Sequence, residues 1–221
     1  QEAGALAKLA QSLGDEFSDA VDLMLAAKGR VIVSGMGKSG HIAHKIAATL
    51  ASTGTPAQFV HPAEASHGDL GMMTRADVAL LLSNSGKTPE LANVIAYTRR
   101  FDIPLIGVAS RAESTLIQQC DVALILPAAD EACPMGLAPT TSTTMTLALG
   151  DALAVALMEH RQFSPADYRD FHPGGSLGAR LSKVGDLMQT ELPSVPQSAQ
   201  MTDALLVMSE KGFGIVAVTN T

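Results

Sequence analysis

The sequence predicts an α/β fold, a three-layer αβα sandwich with a central parallel sheet and helices on both faces. Short apolar runs such as VIVSG, VALLL, PLIGVAS and DVALILP alternate with helical patterns along most of the chain, and that alternation is the signature of a parallel sheet covered on both sides. Twice an apolar run breaks into a small, hydroxyl-rich turn and then a helical pattern, first as VIVSGMGKSGHIAHKIAATLA and again as VALLLSNSGKTPELANVIAYT. With 47% hydrophobic and 17% charged residues in 221, the chain can bury a substantial core.

Leu6, Leu9, Leu13, Phe17, Ala20 and Met24 recur at helical spacing, which predicts one amphipathic lead-in helix ended by Lys28-Gly29-Arg30. The sheet then begins at Val31, followed by a helix over 39–52, a strand over 57–60 and the loop HPAEASHGDLG. A strand over 77–82 leads into the second turn, a helix over 89–100, the strand PLIGVAS, a short helix over 113–118 and the strand DVALILP. From Thr140 the stretch TTSTTMTLALGDALAVALMEH is almost uniformly apolar or small, so its helix must be buried in this subunit or against a neighbour. Composition shifts at HPGGSLGARL, giving a first domain over 1–180 and a second unit over 181–221 that reads as turn, helix and strand. That unit is too short for an independent core.

The net charge of -7, without a basic stripe or an aromatic stacking platform, argues against nucleic acid as a partner. Cys120 and Cys133 have neither metal-ligand spacing nor the density of a secreted scaffold, so core packing in a reducing cytoplasm is their simplest reading. No signal-peptide pattern is read, and no apolar run is expected to approach the length that crosses a bilayer.

The two turns carry the chemistry. A parallel strand ending in Ser, Gly and Lys offers backbone N–H groups and hydroxyls at the start of the next helix, where the macrodipole favours an anion. Ser34, Ser39, Ser83, Ser85 and Thr88 can donate to phosphate oxygens, and Gly35, Gly37, Gly40 and Gly86 let backbone approach closely. Either turn alone reads as an ordinary sheet turn, but two in tandem point to a small phosphorylated ligand. Gly35, Gly37 and Gly40 spell G-x-G-x-x-G, yet AQFVHP puts His61 where a dinucleotide fold wants an acidic residue. A Walker A loop fails because Ile32 and Leu81 stand where its first glycine belongs.

The motifs GMGKSG, ASTGTP, HPAEASHGDLG, SNSG, EACPMGLAPTTSTT, GDALAVAL and HPGGSLG closely resemble the sugar isomerase (SIS) family, in particular its arabinose-5-phosphate isomerase branch. The resemblance spans residues 1–185, and the DLM…P…DALLVM tail resembles the first half of a CBS domain. It implies a flavodoxin-like SIS domain followed by a partial CBS domain. The implied reaction converts D-ribulose 5-phosphate to D-arabinose 5-phosphate without a cofactor, supplying the Kdo sugar of lipopolysaccharide. A cytoplasmic homotetramer with active sites shared between subunits is implied, as is a nucleotide or nucleotide sugar for the CBS region. An isomerase of another sugar phosphate and a non-catalytic sugar-phosphate sensor are the alternatives, and no basic helix-turn-helix accompanies the chain to favour the sensor.

Aldose–ketose isomerisation moves a proton between C1 and C2, so it needs a carboxylate base and donors for the oxygen charge. Glu131, just past DVALILP at a strand end, matches the family's base. Glu90 begins a helix beside the second turn and is equally readable as a dipole partner, but the resemblance makes it a polarising or relay group. Lys38 is implied to contact phosphate or the enediolate, and His172 to open the furanose ring, on a neighbouring subunit's substrate. Ser39, Gly54, Thr55, His67, Ser83, Asn84, Ser85 and Thr88 complete the implied substrate contacts. His61, Glu64, His67 and Asp69 crowd one loop without a standard zinc spacing. His61 resembles the position where zinc binds as an inhibitor in some members. His41, His44 and His160 read as core or surface residues. Lys87 departs from the family, in which Glu is frequent.

Overall fold

The computed structural model describes residues 1–172, 184–188 and 190–220. The chain divides into two compact units, Gln1–Pro173 and Gly174–Thr221. The first unit contains α1 (Glu2–Ser12), α2 (Asp15–Ala26), β1 (Val31–Gly35), α3 (Gly37–Ser52), β2 (Ala57–Phe59) and α4 (Pro62–Ala65). It continues with β3 (Val78–Leu82), α5 (Ala92–Arg100), β4 (Leu105–Ala109), α6 (Thr115–Gln119), β5 (Val122–Ile125), α7 (Thr141–His160) and α8 (Pro165–Phe171). Single 3₁₀ turns at Asp69–Met72 and Pro89–Leu91 precede β3 and α5.

The five strands are all parallel, in the order β2-β1-β3-β4-β5. Strand side chains alternate between two cores, as a period of two requires. Val31, Val33, Val78, Leu80, Leu82, Ile106 and Val108 face α1, α2, α3 and α7. Ile32, Ala79, Leu81 and Leu105 face the α4, α5 and α6 side with Leu91, Val94 and Leu116. The sandwich is therefore the one read from the sequence.

Two local readings change. The lead-in helix is two helices, because Leu13 turns extended and Gly14 caps a new start whose first turn carries Asp15 and Glu16. Carboxylates there complement the helix dipole, and Leu13 is left exposed rather than facing the core. Helix α8 was not anticipated. It starts with a capping box, Ser164 accepting from the Asp167 N–H while the Asp167 side chain accepts from the Ser164 N–H, with Pro165 in the first turn.

Helix α7 is, by length and composition, able to cross a membrane, contrary to the expectation that no apolar run would reach that length. Its packing explains its character differently: half of it is buried, and it lies against α1, α2 and α3. At Gly150 an added Cβ would fall inside contact distance of Ile46 on α3, itself 1% exposed.

The second unit comprises helices Val184–Leu187 and Met201–Lys211 and a two-stranded parallel ribbon, Ser194–Pro196 with Ala217–Thr219. Val195 is buried, but Leu192, Leu205, Leu206, Ile215 and Val218 are exposed, as a unit without room for its own core leaves them. The HPGGSLG motif after His172 and the expected boundary at residue 180 lie outside the described residues.

The α3–α7 contact yields an expectation for stability. Gly150→Ala gains helix propensity of about 1 kcal/mol, but overpacking against Ile46 costs about 1–3 kcal/mol. Urea unfolding should show a net loss, relieved when Ile46→Val is added. A neutral or stabilising Gly150→Ala would place the helix contact elsewhere.

Candidate active site

Between β1 and β3 the chain reverses its direction of travel across the sheet, since β1 connects to β2 on one side and β3 to β4 on the other. Open α/β sheets bind ligands at such a switch point, outside the strand carboxyl ends. The register Gly35↔Leu82 sets the two hydroxyl-rich turns side by side there. Helix α3 starts at the first turn with Met36 as a cap that supplies no side-chain bond, so its leading N–H groups stay open to an anion. Lys38 is exposed and Ser39 half-buried in that first turn. Gly40 is needed because a Cβ would come within 2.7 Å of the Gly35 carbonyl oxygen.

In the second turn the hydroxyls divide their labour. Ser83 Oγ accepts the Gly86 N–H at 3.0 Å and shares a 2.7 Å hydrogen bond with Thr88 Oγ1. These two therefore hold the turn's shape. Ser85 and Asn84 are exposed at its tip. Gly86 has φ +65° and lies so close to Ser114 that no side chain fits, which is the left-handed conformation glycine adopts without penalty. Glu90 is exposed in the 3₁₀ turn that follows.

Glu131 closes the start of α7. Its Oε2 accepts the Thr140 N–H at 2.7 Å, the Thr140 hydroxyl at 3.1 Å and the Ser142 N–H at 3.2 Å. Oε1 accepts no hydrogen bond among the described residues. Burial pushes this carboxyl up, but the Ser142 side chain and the Thr140 and Ser142 donors together outweigh it and hold Glu131 below the usual carboxylate range. The Ser142 hydroxyl stands close enough to the carboxylate to favour its charged form, although its geometry falls short of a well-formed hydrogen bond.

Two adjoining cavities open at this edge. One of 620 Å³ is lined by Glu131, Ala132, Cys133 and Asn84, and one of 440 Å³ by Ser85, Ser110, Arg111, Ser142 and Lys8. Asn84, Ala129 and Asp130 line both. Among the described residues the buried hydroxyls of Ser34, Ser114, Thr141 and Ser142 and the His61 Nδ1 have no hydrogen-bond partner, and of these Ser142 lines a cavity. Desolvated polar groups of this kind are rare unless something else completes them. In the same loop Cys133 is half-buried on a cavity wall rather than packed in the core as expected, and the backbone N–H groups of Ala138, Leu137 and Met135 hold its thiol below the ordinary value. Burial instead pushes the Cys120 thiol up, as core packing would.

His61 caps α4 just past β2, next to the first turn, and its ring meets Phe59 edge-on at 6.2 Å. His67 is exposed between α4 and the next 3₁₀ turn. Helix α4 packs against the Pro89–Leu91 turn, and Asn93 donates to Ser66 Oγ at 2.9 Å, so this loop borders Glu90. Among the described residues no three His, Cys, Asp or Glu side chains come together as a metal site.

Gly54, Thr55 and His172 lie elsewhere. Helices α3 and α7 both run away from the strand carboxyl ends, covering about 24 Å and 30 Å at 1.5 Å per residue. Gly54 and Thr55 follow α3 at the opposite edge, where Arg161 donates to Thr55 Oγ1 at 3.2 Å and Gly54 packs on Phe163. Phe163 in turn meets Phe171, 5.6 Å between ring centroids, immediately before His172. His172 stacks on Tyr168 at 3.9 Å and donates from Nδ1 to the Tyr168 carbonyl at 2.8 Å, which leaves Nε2 as the free lone pair. The residues expected to form one site therefore sort into two groups at opposite ends of the unit.

The structure also adds Lys8, Ser110, Arg111 and Asp130, which the motifs did not mark, and Ser142, which lies within EACPMGLAPTTSTT without a role assigned to it. A readable signal existed for two of them. PLIGVASRAES is a third strand running into a hydroxyl-bearing turn.

Residues 24–156 match the SIS domain family. The chain is 52% identical over 220 residues to the arabinose 5-phosphate isomerase KdsD of Pseudomonas aeruginosa, spanning 98% of this chain and 68% of that protein. It is 50% identical over 216 residues to the arabinose 5-phosphate isomerase KdsD of Escherichia coli K12, spanning 96% and 66%. It therefore covers about two thirds of the length of these relatives. The solved structure of c3406 from E. coli CFT073 in complex with A5P superposes with a TM-score of 0.75 at 42% identity, over 78% of this chain and 92% of that one.

The Glu131 contact makes a prediction about pH. Because the folded-state carboxyl titrates below its unfolded value, near 4.3 for Glu, its stabilisation is present above that value and is lost as pH falls through the folded one. Wild type should exceed Glu131→Gln in stability at pH 7, and denaturant titrations should show the gap closing below about pH 4. A gap independent of pH would mean that the carboxylate charge does not hold α7.

Proposed function

The chain belongs to the SIS domain family, and we propose that it is an aldose–ketose isomerase interconverting D-ribulose 5-phosphate and D-arabinose 5-phosphate. The observation that carries this reading is the Glu131 carboxylate, with one oxygen anchored on α7 and the other unengaged, on the wall of a cavity that shares Asn84 with the Ser-rich turn. Relatives at about half identity over nearly the whole chain bear this activity in their names.

In the proposed reaction Glu131 Oε1 takes the proton from C2 of the aldose and returns it to C1 through a cis-enediol. A carboxylate held below its ordinary range is ionised throughout the neutral range, as a base must be. The open N–H groups of α3, with Lys38 and Ser39, and the second turn at Ser85 hold the phosphate or offset charge on the enediolate oxygens. Glu90, on the loop shared with His67, acts as a polarising or relay partner. No cofactor is required, and zinc held with the help of His61 inhibits.

His172 opens the furanose ring: its Nδ1 is engaged by the Tyr168 carbonyl, which leaves the Nε2 lone pair to act as the base. With Gly54 and Thr55 it lies at the far end of the unit, so it serves a neighbouring copy, which supports a homotetramer with shared sites. The product feeds the Kdo sugar of lipopolysaccharide in the cytoplasm. The second unit is the beginning of a CBS domain that takes a nucleotide or nucleotide sugar.

An isomerase assay on ribulose 5-phosphate, beside glucose 6-phosphate and ribose 5-phosphate, tests the reaction. Turnover should be confined largely to ribulose 5-phosphate and persist in a chelator, while Glu131→Gln should lose about 10²- to 10⁴-fold. Near-normal turnover by Glu131→Gln would remove the base, and turnover lost to chelation and restored by zinc would require a catalytic metal. Cutting the chain after about residue 185 should leave activity and oligomer mass intact, because the first unit has its own core. An inactive but tetrameric truncation would make the tail part of the site.

A further inference from the structure

Thr140 stands at the N-cap of α7, a position where threonine is favoured because its hydroxyl can accept an N–H of the first helical turn. Here it makes no such bond. Its Oγ1 instead accepts the Ala132 N–H at 2.9 Å and donates its one proton to Glu131 Oε2 at 3.1 Å, since an ionised carboxylate can only accept. The Ser142 N–H, which an N-cap side chain ordinarily takes, goes to the same carboxylate oxygen at 3.2 Å, and the Thr140 N–H joins it at 2.7 Å. Capping has passed to Glu131, and the threonine hydroxyl has turned to hold the carboxylate.

The helix gains little from this exchange, because a hydroxyl cap and a carboxylate cap satisfy the same N–H. The carboxylate gains definition. The terminal torsion of a glutamate is broad and roughly two-fold, so a single donor leaves it free to rock and to interchange its oxygens. Thr140 grips Oε2 through both its N–H and its hydroxyl, and the same hydroxyl holds Ala132, the residue that follows Glu131 in the chain. The backbone beside Glu131 and the end of its side chain are thus fixed to one atom, Thr140 Oγ1. Glu131 lines the 620 Å³ cavity, and Oε1 is the oxygen left over.

Resting on the isomerase reading, we propose that Thr140 is a positioning residue, whose hydroxyl locks Oε2 so that Oε1 alone serves as the base. Thr140 acts through Glu131, because its one proton is already committed there. It therefore governs the proton transfer and leaves substrate binding to the turns. Its hydrogen bond also favours the charged carboxylate, in keeping with the low titration of Glu131. Asp130, Cys133 and the amino group of Gln1 share the wall with Glu131, and Lys8 and Arg111 lie on the adjoining cavity. The first turn of α7, TSTT, carries no charge. All of these groups stay in place when the hydroxyl alone is removed.

The test compares Thr140→Val, which keeps the shape and removes the hydroxyl, with Thr140→Ser, which keeps the hydroxyl, both in the full chain. With ribulose 5-phosphate, kcat should fall by about 10- to 100-fold in Thr140→Val, the range that follows from losing a hydrogen bond to a charged group or from misplacing a catalytic group. KM should stay within a few-fold, and Thr140→Ser should recover most of kcat. Independently of turnover, the carbon-13 signal of the Glu131 carboxyl, assigned by its loss in Glu131→Gln, should titrate higher in Thr140→Val and return toward wild type in Thr140→Ser. An unchanged kcat in Thr140→Val overturns the proposal. A rise in KM at constant kcat does the same by placing Thr140 against the substrate, and so does a Thr140→Ser as slow as Thr140→Val, which would assign the effect to methyl packing. A thermal melt checks the fold of both variants. Should Thr140→Val not fold, the wild-type hydroxyl proton decides the matter: it should be protected from exchange with water, and free exchange overturns the proposal. If wild type failed to isomerise the pentose phosphate while the Glu131 signal still moved in Thr140→Val, the hold on the carboxylate would stand and the reaction would fall. Wild-type turnover with neither kcat nor that signal moved in Thr140→Val would do the reverse.

Discussion

The contact between Glu131 and the start of α7 governs the architecture of this molecule. Helix α7 is apolar on most sides and has no side-chain cap of its own, so its leading N–H groups would be orphaned at a partly buried helix end. Glu131 supplies the acceptor from nine residues upstream, and the Ala132 N–H returns a bond to Thr140 Oγ1 at 2.9 Å. The EACPMGLAP loop is thereby closed into a ring at its base. One carboxylate thus finishes the core helix, shapes the cavity wall and presents an unengaged oxygen to it.

The parallel sheet does the rest of the positioning. Because all five strands run the same way, every turn that follows a strand reaches one edge and every turn that precedes one reaches the other. The turns after β1, β3 and β4 open at the first edge, where Glu131 shares a cavity wall with Asn84, while Gly54, Thr55 and the Tyr168–His172 stack occupy the second. The same rule that concentrates donors on one side divides the expected residues between two ends. Among the groups gathered at the first edge, several hydroxyls lack partners, whereas those of Ser83 and Thr88 are engaged in holding their turn.

The sheet and both hydroxyl-rich turns were legible because their signals are local: a run of apolar residues, a Ser-Gly turn, then a helical period. Glu131 was legible as a strand-end acid, but its partnership with Thr140 and Ser142 spans a loop whose closure no periodicity encodes. The break at Leu13 and Gly14 was hidden because both helices keep their apolar residues in nearly one register, so a continuous pattern crosses the gap. Helix α8 had a readable start in Ser164-Pro165 with Asp167, and its short length left too little apolar period to notice. Lys8 was out of reach, because nothing in its neighbours' identities says that α1 and the β4–α6 turn border one cavity.

The asymmetry of the Glu131 carboxylate has a stereochemical meaning. With Oε2 fixed by three donors, the carboxylate offers the cavity a single oxygen, so in the proposed reaction it would meet a planar enediol from one face. The two hydrogens on C1 of the ketose are prochiral, and a base held in this way would remove only one of them. A label carried in by the sugar would then compete with solvent for the return trip, and the geometry of the carboxylate would be written into the isotopic pattern of the product.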